Sequence, residues 1–198
     1  MVRDRLVLVG LLVGSAGAAM AQGTVAYAWS INDSGGSDFL YSGEPVLNFK
    51  LYAIMDPERV GFAGSIFEIR GGHEFDTAGT ITRHENLLGD LSGDGQLQGN
   101  NDILGIEAFQ LPPLFNSGFI DDNPVVIYEF DWEVTHNFTR ISVSSANHQS
   151  SNVYTSDSGM SVEYDSVTTT ARVFIPAPAT WMLGLAGLGW GARRRRAE

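Results

Sequence analysis

Three features of this sequence predict an all-β chain folded as an antiparallel β-sandwich of immunoglobulin-like or jelly-roll type. Large apolar residues alternate with small or charged ones, and no segment carries a helical stripe of several turns. The alternating segments are also short and separated by Gly, Asn, Asp and Ser turns.

Taken in order, residues 25–31 give the first strand, with Val25, Tyr27, Trp29 and Ile31 on one face and Ala26, Ala28 and Ser30 on the other. The run Asn32 to Asp38 is a turn or loop. In the second strand Leu47, Phe49, Leu51, Ala53 and Met55 share a face, and Asp56-Pro57 ends it. A third covers residues 62–70 before Gly71-Gly72. The clearest is residues 125–134, where Val126, Tyr128, Phe130, Trp132 and Val134 point inward while Glu129, Asp131 and Glu133 face water. Residues 138–144, 161–167 and 169–175 supply further strands rich in Ser and Thr. Trp29, Trp132 and Tyr128 could stack on sugars if exposed, but their alternation assigns them to the core.

Both ends of the chain read as labels around this body. Arg3 and Arg5 precede an apolar run over residues 6–19, and Ala19-Met20-Ala21 forms a small-x-small site, so cleavage is expected between Ala21 and Gln22. At the other end Pro176 and Pro178 interrupt any ladder or helix and leave an extended segment. The apolar run 179–192 that follows has fourteen residues. As a helix it spans about 21 Å, short of the roughly 30 Å of a bilayer core. Trp181 and Trp190 sit near its ends, and Arg193, Arg194, Arg195 and Arg196 would hold its terminus on the cytoplasmic side. The expected organisation is a signal peptide over 1–21, one sandwich domain over 22–175 and a sorting signal over 176–198.

This tail resembles the PEP-CTERM sorting signal of Gram-negative and related bacteria, in which a Pro-Glu-Pro motif, an apolar segment and an arginine cluster are read by a membrane exosortase. Pro176 and Pro178 match the motif prolines, Ala179-Thr180-Trp181 the common continuation, and Arg193 to Arg196 the basic end. Ala177 stands where the family carries glutamate, which removes a charged contact with the processing enzyme. The resemblance implies signal peptidase and an exosortase as partners, transient membrane contact through the tail, and residence at the cell surface or in extracellular matrix.

Charge and cysteine content exclude whole classes. Residues 22–175 hold six Lys and Arg against 21 Asp and Glu, a balance of −15. Such a domain repels phosphate backbones, which disfavours nucleic acid. Cysteine is absent, so disulfides, thiol catalysis and thiolate metal sites are excluded. No G-x-S-x-G elbow occurs. His73-Glu74-Phe75-Asp76 and His84-Glu85 carry ligand types for zinc or manganese, without the H-E-x-x-H pair that would present them together.

One stretch has metal-ligand spacing. Asp90, Ser92, Asp94, Gly95, Gln96 and Gln98 fall on positions 1, 3, 5, 6, 7 and 9 of an EF-hand type calcium loop. Position 12 is the neutral Asn101, and Asp102 comes one residue late. Gly105 and Pro112-Pro113 would cut short any helix after the loop. The stretch resembles the calcium loops of dockerin modules, with Ser92 in place of the usual Asn, and calcium is the one cofactor it suggests. A connection between strands that needs no ion accounts for the same residues.

The sequence as a whole is that of an exported, non-enzymatic surface or matrix protein with a structural or interaction role, and at the level of fold it resembles cohesin-like bacterial surface modules. A calcium-dependent carbohydrate-binding or adhesive module and a secreted polysaccharide hydrolase using paired acids are the alternatives, with exopolysaccharide or other surface proteins as partners.

Overall fold

The computed structural model describes residues 23–56, 59–89, 91–115, 123–147 and 151–176. The signal peptide with its Ala21/Gln22 site, Asp90, and the tail from Ala177 onward, including Pro178 and Arg193 to Arg196, lie outside the described residues.

The strands are β1 (Thr24–Ile31), β2 (Asp38–Leu40), β3 (Val46–Ile54), β4 (Gly61–Gly71), β5 (Gly79–Asn86), β6 (Gln96–Leu97), β7 (Ile103–Phe109), β8 (Val125–Val134), β9 (Arg140–Asn147), β10 (Ser151–Tyr154), β11 (Ser161–Val167) and β12 (Thr170–Phe174). A six-residue helix, α1 (His73–Ala78), joins β4 to β5, and a 3₁₀ turn covers Pro113–Phe115. Among the described residues no helix is long and apolar enough to cross a membrane.

One face of the sandwich is the antiparallel series β1-β3-β8-β5. The other is built around β4, with β7 along one edge and β9 followed by β10 along the other. β12 flanks β9, and β2 flanks β12. β11 belongs to both: Ser161 to Tyr164 pair with β10, and Asp165 to Val167 then pair with β1. A strand that changes sheet in this way makes a corner of the sandwich. The β1–β11 and β2–β12 ladders are parallel, so the expected antiparallel pattern holds except at these two closing contacts.

Between the faces lies one continuous apolar core. Val25, Tyr27, Trp29 and Ile31 of β1 enter it with Leu47, Phe49 and Leu51 of β3 and Tyr128, Phe130 and Trp132 of β8. The alternation expected from the sequence aims these side chains inward. The start of β8 is the exception: the ladder to β3 shifts register between Leu51 and Tyr52, so that Val125 and Ile127 enter the core and Val126, expected to point inward, packs on an outer cluster instead. Phe49 stacks on Phe130 at 4.8 Å between centroids, and Phe75 on Trp132 at 5.2 Å. Pairs of this kind contribute about 0.5–1.5 kcal/mol each beyond area burial. Both buried indoles keep a partner: Trp29 Nε1 donates to the Thr169 carbonyl at 3.1 Å and Trp132 Nε1 to that of Phe75 at 3.2 Å.

Several elements differ from the sequence expectation. Residues 103–109 are a strand rather than the start of a short helix. Gly105 has φ +68 there, and the ladder to β4 shifts register between Phe67 and Ile69. The irregularity brings Ile103 and Ile106 to the core three residues apart, which mimics a helical spacing. β5 is a strand with no readable period, because its one large buried side chain is Ile81. β2 begins inside the segment expected to be loop, and β10 is only four residues long. α1 buries Phe75 and Ala78, a single i, i+3 pair.

Candidate functional site

The stretch with calcium-loop spacing folds as a β-hairpin laid across the open side of the sandwich. Ser92 Oγ donates to the Phe109 carbonyl and accepts from the Phe109 amide, both at 3.0 Å. Gly93 and Glu107 exchange backbone bonds at 2.8 and 3.1 Å. Gly95 has φ +78, and a Cβ there would meet the Leu104 carbonyl at 2.9 Å. The glycine expected at the sixth loop position is thus required, but by the approach of β7. β6 then pairs Gln96 and Leu97 with Leu104 and Ile103. Gln98 accordingly sits in the hairpin turn, where its amide donates to the Asp102 carbonyl at 2.8 Å.

Among the expected ligands, the side chains of Ser92, Asp94, Asn101 and Asp102 each bond to a different part of the protein. Asp94 Oδ1 accepts from the Asn86 amide at 2.7 Å, and its carbonyl accepts from the Tyr128 hydroxyl at 2.6 Å. Gln96 and Gln98 are exposed, with Gln98 Nε2 donating to the Gln96 carbonyl. Asn101 is buried with φ +60, a conformation asparagine tolerates. Its Oδ1 accepts from the Ile81 amide at 3.1 Å, while Nδ2 donates to the carbonyls of Gly79 at 3.0 Å and Asp76 at 3.3 Å. Asp102 Oδ1 accepts from the Gly71 amide at 3.2 Å, and Oδ2 accepts from Asn100 Nδ2 at 3.0 Å and lies 3.7 Å from Arg70 Nη1. Among the described residues no group of three or more His, Asp or Glu side chains is placed to hold a metal ion.

The described histidines are dispersed. His84 Nδ1 pairs with the Tyr128 hydroxyl at 2.9 Å, and His73 is exposed at the start of α1. Burial pushes the Tyr128 hydroxyl pKa far up, with the Asp94 charge adding to the effect. Asp76 lies near Asp102, and its carboxyl is held above the ordinary value, first by burial and then by the Asp102 charge. Its Oδ1 is buried without a hydrogen-bond partner.

A second feature is the outer side of β3, β8 and β5. Asn48 Nδ2 donates to Glu129 Oε1 at 3.1 Å and to Asp131 Oδ1 at 2.8 Å. Arg83 bonds Glu129 at 3.1 Å, reaches Asp131 at 3.6 Å and pairs with Glu85. Lys50 pairs with Asp33 at 2.7 Å. The alternating acids expected to face water lie on the outer face, where Glu133 is exposed and Glu129 and Asp131 join a cross-strand network tied by Asn48 and Arg83. Neither of those partners was legible before the register of β3 and β5 against β8 was known. The same sheet's outer face continues into a small apolar cluster of Ala26, Ala28, Tyr52 and Ile54. Burial and the charges of Asp33 and Glu129 push the Tyr52 hydroxyl up to about 12.

No protein-family model matches the sequence, and no curated protein matches it. Solved structures do match. The seventh ScaB type I cohesin from Pseudobacteroides cellulosolvens aligns with a TM-score of 0.50 at 12% identity, over 80% of this chain and 96% of that one. A chain of the Coh-OlpA–Doc918 complex, a type I cohesin–dockerin complex from Clostridium thermocellum, aligns with a TM-score of 0.53 at 10% identity, over 77% and 99%. The chain thus has a cohesin-like β-sandwich fold, and at these identities the likeness concerns fold alone.

Proposed function

We propose that this chain is an exported, non-catalytic interaction module, carried through the envelope by its signal peptide and sorted to the cell surface or extracellular matrix by its PEP-CTERM-like tail. The observation that carries the reading is the sandwich itself, similar to cohesins over nearly their whole length, one of them crystallised in a cohesin–dockerin complex. The placement of the aromatic side chains supports it. Trp29, Trp132 and Tyr128 fill the core and offer no stacking platform for a sugar. Glu129 and Asp131 are tied to Asn48 and Arg83.

The test uses the protein purified from the producing cells, labelled and returned to cells of the same organism that lack its gene. Saturable binding that is lost when those cells are first treated with protease is expected. Binding that never saturates, or that survives protease and disappears with polysaccharide-degrading enzymes, would overturn the reading. Mass spectrometry of the termini tests sorting: an amino terminus at Gln22 and loss of Arg193 to Arg196 from the exported form are expected.

A further inference from the structure

We propose that the end of the sandwich formed by Leu111, Leu114, Phe115 and Met160 docks a protein whose contact surface is apolar and flanked by basic side chains. This deepens the interaction reading above and rests on it. Leu114 and Phe115 are each 70% exposed, Met160 68% and Leu111 45%. Exposed apolar side chains scattered singly are ordinary, whereas a contiguous group marks a contact surface.

The four side chains are brought to one end because two connections are stitched together. The Tyr154 hydroxyl donates to the Gln110 carbonyl at 2.7 Å, and the Leu114 amide to the Asp157 carbonyl at 3.2 Å. Between these bonds Pro112 lies so close to Gly159 that a Cβ there would meet its Cγ at 2.7 Å. The Met160 carbonyl accepts from both the amide and the hydroxyl of Thr155, and Ser156 and Ser158 bond each other at 2.9 Å. The side chains are therefore presented by a frame fixed before any partner arrives, which lowers the ordering cost of association.

Position sets this end apart, and charge selects the occupant. The chain leaves the sandwich after Phe174, which pairs with Arg140 beyond the far end of β4. The apolar end lies beside Tyr154, paired with Gly61 at the near end of β4. The eleven residues of β4 separate the two ends by about 33 Å. Asp157 and Glu163 are exposed nearby, Arg59 is engaged over the Tyr164 ring at 5.0 Å, and residues 22–175 carry a balance of −15. That charge repels anionic lipid and attracts a basic rim.

The experiment repeats the cell-binding assay with a Phe115→Ser, Met160→Ser double variant and with a photo-reactive residue placed at Phe115 or, as a control, at Leu40. Leu40 is 68% exposed and sits at the opposite end, paired with Phe174. The expected result is at least tenfold weaker half-saturation for the double variant at an unchanged melting temperature, weaker binding of the wild type in high salt, and a protein adduct from position 115 alone. Wild-type binding that the double variant matches would overturn the proposal and leave the interaction reading standing. A lipid adduct at 115, an adduct between two copies of this chain, or equal adducts at 115 and 40 would also overturn it.

Discussion

Asn101 Oδ1 accepts the amide proton of Ile81 at 3.1 Å across twenty residues of chain, while its Nδ2 donates to the Gly79 carbonyl at 3.0 Å. One side-chain amide thus does for the free edge of β5 what a neighbouring strand would do. An unpaired strand edge invites association, and covering it is a standard protection. Asp94 repeats the device at the other end of β5, through the amide of Asn86. The stretch with calcium-loop spacing is in this structure a strap whose polar side chains serve backbone groups of β5, β4 and β7.

Asn101→Gly keeps the backbone free to hold φ +60 but leaves the Ile81 amide and the Gly79 carbonyl without their partner. A loss of about 1–3 kcal/mol is expected. Asn101→Ala should lose about 1–2 kcal/mol more, because a Cβ is strained in the left-handed region and no polar side chain offsets it. Denaturant unfolding of the two variants beside the wild type checks the order.

Asp94→Ala should lower the melting temperature in calcium-free buffer, because it removes the acceptor for the Asn86 amide whether or not an ion is present. Calcium that binds the folded state would raise the wild-type melting temperature in proportion to the logarithm of its concentration. The strap predicts that the variant's deficit is already complete without calcium. A deficit that appears only when calcium is added would show that Asp94 acts as a ligand.

Two carboxylates should give acid responses of opposite sign. Glu74 accepts from the amides of Arg140 and Thr139 and from the Thr139 hydroxyl, which hold its pKa below the ordinary 4.5. Its contribution to stability is therefore complete above that value and is lost as pH falls through the lowered folded pKa. Glu74→Gln should flatten this acid limb. Asp76 is shifted the other way, so its ionised form burdens the fold at neutral pH, and the burden lifts as pH falls through its raised folded pKa towards 3.8. Asp76→Asn should stabilise at neutral pH and lose that advantage in acid. Unfolding free energies from about pH 3 to pH 7 would show both trends.

Phe130→Ala removes a fully buried ring that stacks on Phe49 and meets Trp29 and Phe75 edge-on. A cost of about 3–5 kcal/mol is expected. Arg83→Ala breaks three contacts to carboxylates but leaves its half-exposed site in solvent, so its cost should stay below about 1 kcal/mol. Paired urea denaturation curves would check this contrast between core and surface.

The sandwich was legible because an inward-facing strand repeats a large side chain every second residue, and β1, β3 and β8 from Tyr128 onward do so. β5 and β7 were not. In β5 a single isoleucine carries the inward face, and in β7 the left-handed Gly105 turns an alternation into a spacing of three. For the site, the residue types of the strap were visible, including the need for Gly95, but their partners were not. Asp94 and Asn101 have the same oxygens whether they face an ion or a backbone amide. The choice depends on where β5 lies, eight and twenty residues back along the chain.

By itself, then, the sequence determined the strand class, the identity of the aromatic core and the acidity of the body, since each is written in neighbouring residues. Only the tertiary structure decided which carboxylates share Asn48 and Arg83, which edge the strap closes, and that the connections carrying Leu114, Phe115 and Met160 are bonded to each other at one end. Those relations join side chains distant in the chain, and no local period encodes the register that brings them together.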